Sequence, residues 1–378
     1  MGRPLRIISR FESIRPDACF AFEGGHCYRT QTAQSEPLVR QPRPNCRLIR
    51  PQKCDTVSAV EGKYSEEPQD ALLLNRREFN ELCVALGWLV SSSDAMALDA
   101  ASTGVARTVK FRNGTIVPAL GQGSAGLAQG KHPAAEEEEA LRTGLSLGMT
   151  VIDTAEIYGS GHSEELIGRA IAGQRDHVFL VSKVWPNHVA GNGIARACAA
   201  SLARLGTDYL DLYLLHWPNG VTNLSSVVTA FENLRSAAKI RAWGVSNFKV
   251  SDMEDLFRIP KGDGCATNQL PYSLADRGIE RDLLPWCEQH GMPVMAYSPL
   301  GGNGASLLRD PTLVRIGAAH GCSASAVALA WTIRNGNVIA IPESGSVAHV
   351  KENAVALSLT LTPQELQSLD AAYPLPNR

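Results

Sequence analysis

The chain has 378 residues, 44% of them hydrophobic, and a formal net charge of -2 at pH 7. This length allows one large domain or two ordinary ones with an ample apolar core, and the weak charge argues against a nucleic acid as partner. No apolar run reaches the roughly 20 residues that span a bilayer as a helix. The cysteines lie scattered without the spacing of a metal site, so we interpret them as free thiols. We therefore expect a monomer that binds small molecules and does not insert stably into a membrane.

The first segment, residues 1–70, is rich in Arg, Pro, Ser and Gln and lacks the periodicity of a helix or a strand. Such a composition is typical of a disordered leader. A second interpretation stays open, in which translation starts downstream and this segment is not made. The sequence of the mature N-terminus would distinguish the two.

The next segment, residues 71–97, has the parts of an export signal in their usual order. Arg76 and Arg77 come first, an apolar run over 82–90 follows, and small residues at 95–97 offer a cleavage point. Two arginines with Phe79 two positions on resemble a twin-arginine signal. The alternative is a short amphipathic helix that happens to contain the arginines. A used signal predicts a periplasmic protein, and an unused one predicts a cytoplasmic protein.

Residues 107–378 have the pattern of a (β/α)8 TIM barrel. Asn113 and Gly114 between two β-prone runs predict a hairpin. Eight short apolar runs follow, at 119–123, 150–153, 178–183, 210–216, 242–246, 266–269, 294–298 and 338–342. They are separated by helical patterns such as 134–147, 163–172, 193–205, 226–238, 279–290 and 323–335. Apolar strands separated by helices pair in parallel, so we expect a closed barrel with the hairpin as a plug across its N-terminal mouth.

Three consecutive apolar runs end in ionisable residues, namely Asp153, Lys183 and His216. Reactive groups of such barrels project from the C-terminal ends of the strands, so these three should converge. Each alone could be structural, but burying all three costs free energy unless they pair with one another. Tyr158 follows in a glycine-containing loop, where the Lys183 ammonium should lower the pKa of the phenol. We therefore expect Tyr158 to act as a general acid.

The residues exclude several other chemistries. Cys and Ser in these loops have no paired base, and no His, Cys and carboxylate spacing indicates a catalytic metal. Of the reactions considered, reduction of a substrate is the one left. It needs a cofactor because no side chain supplies a hydride. The glycines at 121 and 123 do not form a Rossmann fingerprint, since a third glycine and the following acid are missing.

From about Arg107 onward the chain resembles the aldo-keto reductase family. The similar segments are 148–159, 180–183, 214–218, 243–248, 268–269, 296–301 and 341–344. The resemblance implies reduction of aldehydes or ketones with NADPH or NADH. It implies that Tyr158 protonates the carbonyl oxygen, that Lys183 and Asp153 tune Tyr158, and that His216 orients the substrate.

The resemblance also implies a set of cofactor contacts. Ser246, Asn247 and Gln269 would hold the carboxamide, Tyr297 would stack on the nicotinamide, and Ser298 and Leu300 would line the pyrophosphate tunnel. Glu352 and Asn353 match the adenine contacts of the family. In the family, the residues that bind the 2'-phosphate of NADPH stand at the positions of Glu343, Ser344 and His349.

Two positions depart from the family pattern. Glu343 and His349 stand where Lys and Arg are common, so we expect NADH to be accepted at least as well as NADPH. Glu343 would accept hydrogen bonds from ribose hydroxyls, or else it points to solvent while Lys351 or His349 covers the phosphate. Ala125 replaces a frequent Trp, which predicts an open pocket walled by residues such as Trp217.

A rival hypothesis is a sensor or auxiliary subunit that binds the nicotinamide nucleotide without physiological turnover. All four catalytic positions are filled, which favours an enzyme. The predicted substrates are small carbonyl compounds, among them reactive dicarbonyls.

Overall fold

The computed structural model describes residues 106–302 and 306–376. The predicted leader over 1–70 and the signal-like segment over 71–97 lie outside these ranges.

The chain first forms the predicted hairpin, with β1 (Thr108–Lys110) antiparallel to β2 (Ile116–Pro118). The Gly114 N–H donates to the carbonyl oxygen of Phe111 at 2.9 Å, and Gly114 has a φ of +89°. Glycine adopts this left-handed conformation without strain. The Phe111 ring stacks on Phe179, the first residue of a barrel strand, at 5.5 Å between centroids. The hairpin therefore covers the N-terminal mouth of the barrel.

Eight parallel strands confirm the predicted barrel. They are β3 (Gln122–Gly123), β4 (Val151–Asp153), β5 (Phe179–Val184), β6 (Leu210–Leu215), β7 (Ile240–Ser246), β8 (Asn268–Pro271), β9 (Val294–Tyr297) and β10 (Val338–Ala340). Each strand pairs with its neighbour in chain order. The seam between the first and last strands is closed because the Gly121 N–H donates to Ala340 at 2.8 Å and the Gly123 N–H donates to Pro342 at 2.9 Å.

Ten α-helices are present in the described ranges. They are α1 (Ala134–Ser146), α2 (His162–Ala170), α3 (Gly193–Leu205), α4 (Leu224–Ser236), α5 (Val250–Arg258), α6 (Leu283–Gln289), α7 (Pro311–Ala319), α8 (Ala324–Thr332), α9 (Val347–Ala354) and α10 (Pro363–Ala372). The sequence patterns singled out neither α5 nor α7 nor α9. The start of α7 did carry a signal, because Asp310 caps the Thr312 N–H at 2.8 Å and Pro311 takes the first helical position.

The predicted helix over 279–290 is shorter than expected. Gly278–Arg281 forms a 3-10 turn, and α6 begins only after Asp282, whose side chain accepts a hydrogen bond from the Leu283 N–H at 2.6 Å. An aspartate that caps a backbone N–H favours a helix start at that position.

Two further expectations concern the described residues. Cys198, Cys265, Cys287 and Cys322 are free thiols, as expected. Within the described ranges no single helix is long and apolar enough to cross a membrane; α7 and α8 pass that test only as a pair, across a bend of 95°.

Candidate active site

The ammonium group of Lys183 is the centre of the predicted site. The side chain lies near the end of β5 with no exposed surface. Its Nζ donates to Asp153 Oδ2 at 2.6 Å, to the carbonyl oxygen of Thr154 at 2.8 Å and to the hydroxyl of Tyr158 at 3.2 Å. An ammonium has three protons, so each one has an acceptor. The site therefore brings Asp153, Lys183 and Tyr158 together as the sequence predicted.

Asp153 balances the charge of Lys183. Its second oxygen, Oδ1, accepts a hydrogen bond from Gln269 Nε2 at 2.7 Å. Burial raises the pKa of Asp153, while Lys183 and Gln269 oppose that rise. Burial also acts to lower the pKa of Lys183, but the charge of Asp153 and the bonds to Asp153 and Tyr158 outweigh burial and raise it. The short Nζ to Oδ2 distance is typical of a charge-assisted hydrogen bond, which fits an ionised pair.

The pKa of Tyr158 differs from the sequence prediction. Burial is the largest influence and raises the pKa of the phenol, and the negative charges of Asp153 and Glu343 add to the rise. Lys183 lowers it, as expected, but does not outweigh burial. The prediction of a net lowering of the Tyr158 pKa was therefore wrong. Burial removes water from the phenolate, and the resulting cost exceeds the stabilisation that the Lys183 ammonium provides. Tyr158 keeps its proton at neutral pH and is able to donate it.

A sharp turn brings the Tyr158 phenol over the barrel. Gly159, Ser160 and Gly161 have φ values of +53°, +56° and +95°. Three successive left-handed residues reverse the chain directly after Tyr158. Glycine adopts this conformation freely, whereas a serine does so at some cost. The glycines noted in the sequence therefore fold the loop back towards β4.

His216 lies beside the phenol at the end of β6. Its ring is edge-on to Tyr158 at 5.7 Å and edge-on to Trp185 at 5.3 Å between centroids. Burial, assisted by the charge of Lys183, lowers the pKa of His216 to about 3. Among the described residues, its Nδ1 is buried without a hydrogen-bond partner. A neutral imidazole at the cleft can donate a hydrogen bond without carrying a charge.

The strand ends next to His216 carry a linked set of amides. Asn247 has a φ of +65°, a conformation that asparagine tolerates better than most residues. Its Nδ2 donates to the carbonyl oxygen of His216 at 3.1 Å and to Ser246 Oγ at 3.0 Å, and its Oδ1 accepts from the Tyr297 hydroxyl at 2.9 Å. The Gln269 side-chain oxygen has no hydrogen bond within the described ranges, which leaves it available to a carboxamide.

A cleft of about 670 Å³ opens over these groups, within the roughly 300–1,000 Å³ of typical ligand sites. Asp153, Tyr158 and His216 line it, whereas Lys183 lies beneath. Every residue predicted to contact the cofactor also lines it: Ser246, Asn247, Gln269, Tyr297, Ser298, Leu300, Glu343, Ser344, His349, Glu352 and Asn353. A cleft of this volume, with the Gln269 amide oxygen among its lining groups, fits a nicotinamide nucleotide.

Some lining residues were not predicted. Leu308 and Ser325 reach the cleft from the turn Leu307–Arg309 and from α8. Neither ends a strand, so the strand-end pattern gave no signal for them. Ala125 and Trp217 also line the cleft, and Trp217 is 37% exposed, in agreement with an open pocket that has an aromatic wall.

Glu343 is held by the loop that follows β3. Its Oε2 accepts a hydrogen bond from the Gly126 N–H. A Cβ on Gly126 would collide with Glu343 Oε1 and lie 2.8 Å from Lys131 Nζ, so a larger residue here would displace the ends of these two side chains. The Glu343 carboxylate is exposed, but its hydrogen bond to the Gly126 N–H fixes its position. Lys131, from the same loop, approaches the same side of Gly126.

The comparisons with known proteins agree with one another. A model of the aldo/keto reductase family matches residues 119–374. Methylglyoxal reductase YeaE of Escherichia coli is 48% identical over 273 residues, which cover 71% of this chain and 96% of the relative. Glyoxal reductase of Bacillus subtilis is 33% identical over 272 residues, which cover 71% and 94%.

Solved structures give the same result. An aldo/keto reductase from Klebsiella pneumoniae in complex with NADP and acetate has a TM-score of 0.69 and 48% identity, and the match covers 72% of this chain and 98% of that one. An aldo-keto reductase from the same organism in complex with NADPH also has a TM-score of 0.69 and 48% identity, with 72% and 97% covered.

The low pKa of His216 gives a direct test of the site. We expect its ring protons, assigned by NMR with a His216→Gln variant, to show no charge change between pH 5 and 8. The unfolded chain takes up this proton near pH 6.5 and the folded chain only near pH 3. His216 should therefore lower the stability of the wild type as the pH falls from 6.5 towards 3. A titration midpoint near 6.5 in the folded protein would contradict the described burial.

Proposed function

Since the chain belongs to the aldo/keto reductase family, and is an oxidoreductase that reduces aldehydes or ketones with a nicotinamide nucleotide, we propose that Tyr158 is its general acid. The observation that carries this proposal is the 3.2 Å bond from Lys183 Nζ to the Tyr158 hydroxyl at the base of the cleft. It links a phenol that keeps its proton to a buried cation that would stabilise the phenolate.

The proposed reaction balances in electrons and protons. The nicotinamide nucleotide, when bound, supplies a hydride to the carbonyl carbon. Tyr158 gives its phenolic proton to the carbonyl oxygen, so the carbonyl becomes an alcohol and the phenol becomes a phenolate. Lys183 stabilises that phenolate, and Asp153 keeps Lys183 charged. Neutral His216 donates a hydrogen bond to the same oxygen and orients the substrate. Solvent then returns the proton to Tyr158.

The proposed substrates are small dicarbonyl compounds such as methylglyoxal. Two relatives are a methylglyoxal reductase and a glyoxal reductase, and Ala125 leaves the mouth of the cleft open to compact polar molecules. The test compares kcat/KM for methylglyoxal with that for propanal, which has nearly the same size but one carbonyl. We expect kcat/KM to be at least about tenfold higher for methylglyoxal, because propanal lacks the second carbonyl and so loses one polar contact with the site. Equal values would refute the proposed substrate class.

Removing the phenolic proton should abolish most of the activity. We expect Tyr158→Phe to lower kcat for methylglyoxal by roughly 10²- to 10⁴-fold, the usual contribution of a general acid. Nucleotide binding, measured by fluorescence titration, should be retained. Tyr209→Phe is the matched control, because Tyr209 bonds to Asp176 beyond the N-terminal end of β6, away from the cleft. Full activity in Tyr158→Phe would exclude the proposed role.

For the cofactor we propose that NADH is accepted at least as well as NADPH. Glu343 supports this proposal, because it lines the cleft at a position where the resemblance to the family implies a lysine. Two unit charges about 6 Å apart interact by on the order of 3 kcal/mol at an effective dielectric of about 20, and less at an exposed site. Repulsion of that size would oppose a 2'-phosphate but leave the ribose hydroxyls of NADH unaffected.

Reversing this charge should change the nucleotide preference. We expect Glu343→Lys to raise NADPH affinity by about tenfold and to leave NADH affinity nearly unchanged, as removal of a partly screened repulsion implies. Glu343→Gln is the control, since it loses the charge but keeps an acceptor for the Gly126 N–H, and it should give an intermediate affinity. Dissociation constants for both nucleotides provide the measurement. An unchanged NADPH affinity in Glu343→Lys would show that the carboxylate does not face the phosphate.

We also propose that residues 71–97 direct export by the twin-arginine route. This route carries folded proteins, so the barrel could leave the cytoplasm with its nucleotide bound. In a host with this pathway, the wild type should appear in the periplasmic fraction and Arg76→Lys, Arg77→Lys should remain in the cytoplasm. Cytoplasmic signal for both forms would refute export.

A further inference from the structure

Glu156 is a nearly buried carboxylate between two loops of the site. It lies two residues before Tyr158, and its side chain is 8% exposed. Its Oε1 accepts the backbone N–H of Trp185 at 2.6 Å and a hydrogen bond from His188 Nδ1 at 2.9 Å. Its own N–H donates to the carbonyl oxygen of Lys183 at 3.4 Å. Glu156 thus ties the loop after β4 to strand β5 through its backbone and to the loop after β5 through its side chain.

Trp185 connects this carboxylate to the reacting groups. Its N–H lies just beyond the last residue of β5, so the carboxylate of Glu156 takes the place of a neighbouring strand as its acceptor. The Trp185 ring is edge-on to His216 at 5.3 Å, and the His216 ring is edge-on to Tyr158 at 5.7 Å. A shift of the Trp185 backbone would therefore move the surface against which the imidazole packs.

The chemistry of this position favours an acid. A carboxylate forms shorter and stronger hydrogen bonds to N–H donors than a neutral oxygen does. A carboxylate that is almost out of water is costly unless such donors surround it, and Glu156 has a rigid backbone N–H and an imidazole as donors. Glu156 does not itself line the cleft, so it acts through the residues that it holds.

From these contacts we infer that Glu156 is a positioning residue for carbonyl reduction. By fixing the backbone of Trp185, it holds the indole against His216 and keeps the imidazole directed at the carbonyl oxygen beside Tyr158. This inference rests on the proposed function, because it assigns Glu156 a part in the same proton and hydride transfer. It adds a residue whose effect is on the geometry of the reacting groups and not on nucleotide binding.

The test measures hydride transfer in a single turnover. Enzyme in excess over bound NADPH or NADH is mixed rapidly with a high concentration of methylglyoxal, so that each nucleotide is oxidised once, and its loss gives a rate constant that does not depend on the folded fraction. We expect Glu156→Ala to lower this constant by about tenfold, since small misplacements of reacting groups have large effects on rate. Glu156→Gln, which keeps an oxygen for the Trp185 N–H, should recover to within about threefold of the wild type. Nucleotide dissociation constants should stay within about twofold in both variants, because the adenosine contacts lie elsewhere.

Two controls separate positioning from stability. Glu232 on α4 is also 8% exposed and also accepts an N–H from a tryptophan, Trp243, at 2.7 Å, but it packs outside the barrel. Glu232→Ala should lower the melting temperature without changing the single-turnover constant. His188→Ala removes only the more exposed donor to Glu156 and should also leave the constant unchanged.

The outcomes distinguish this inference from the proposed function. If the wild type reduces methylglyoxal and Glu156→Ala has the same single-turnover constant, the positioning role is refuted and the function stands. Equal losses in Glu156→Ala and Glu156→Gln would also overturn it, because the hydrogen bond to Trp185 would not be the cause. If the wild type itself does not oxidise either nucleotide, the proposed function fails first.

Discussion

The Lys183 ammonium has no exposed surface, and its three acceptors all come from the end of β4 and the loop that follows it. Taking a charge out of water costs several kcal/mol unless the surrounding groups replace the lost hydration. Asp153 replaces the charge, and Thr154 and Tyr158 use the remaining protons. The bond from Lys183 to the Tyr158 hydroxyl thus serves the buried cation and at the same time directs the phenol at the base of the cleft.

The same cation acts in opposite senses on the two proton-bearing rings. For the imidazole of His216, burial and a nearby positive charge both disfavour the protonated form, so its pKa falls far. For the phenol of Tyr158, burial disfavours the ionised form while the cation favours it, so burial prevails only in part. The result is two neutral hydrogen-bond donors side by side. A neutral pair suits a carbonyl oxygen that gains negative charge during hydride transfer, because each donor is stronger in the transition state.

Much of this arrangement was predictable because strand periodicity and barrel geometry are strong constraints. Runs that end in Asp153, Lys183 and His216 had to converge once eight parallel strands closed. The direction in which the Tyr158 pKa shifts was not predictable, since it depends on how deeply the turn at 159–161 buries the phenol. Contacts between loops were equally hidden. Nothing in the spacing of Glu156 reveals that its partner is the backbone of Trp185, 29 positions away.

The seam of the barrel determines when the site can exist. The backbone of Gly121 and Gly123 reaches its acceptors only at Ala340 and Pro342, and the Gly126 N–H reaches its acceptor at Glu343. Contacts between such distant parts of a sequence form late and slow the folding of a domain. A chain still on the ribosome cannot close the barrel until the tenth strand emerges, because that strand and the residues directly after it carry the acceptors of the seam. Premature termination before that strand therefore removes both the closing bonds of the seam and the residues from Glu343 to Asn353 that line the cleft.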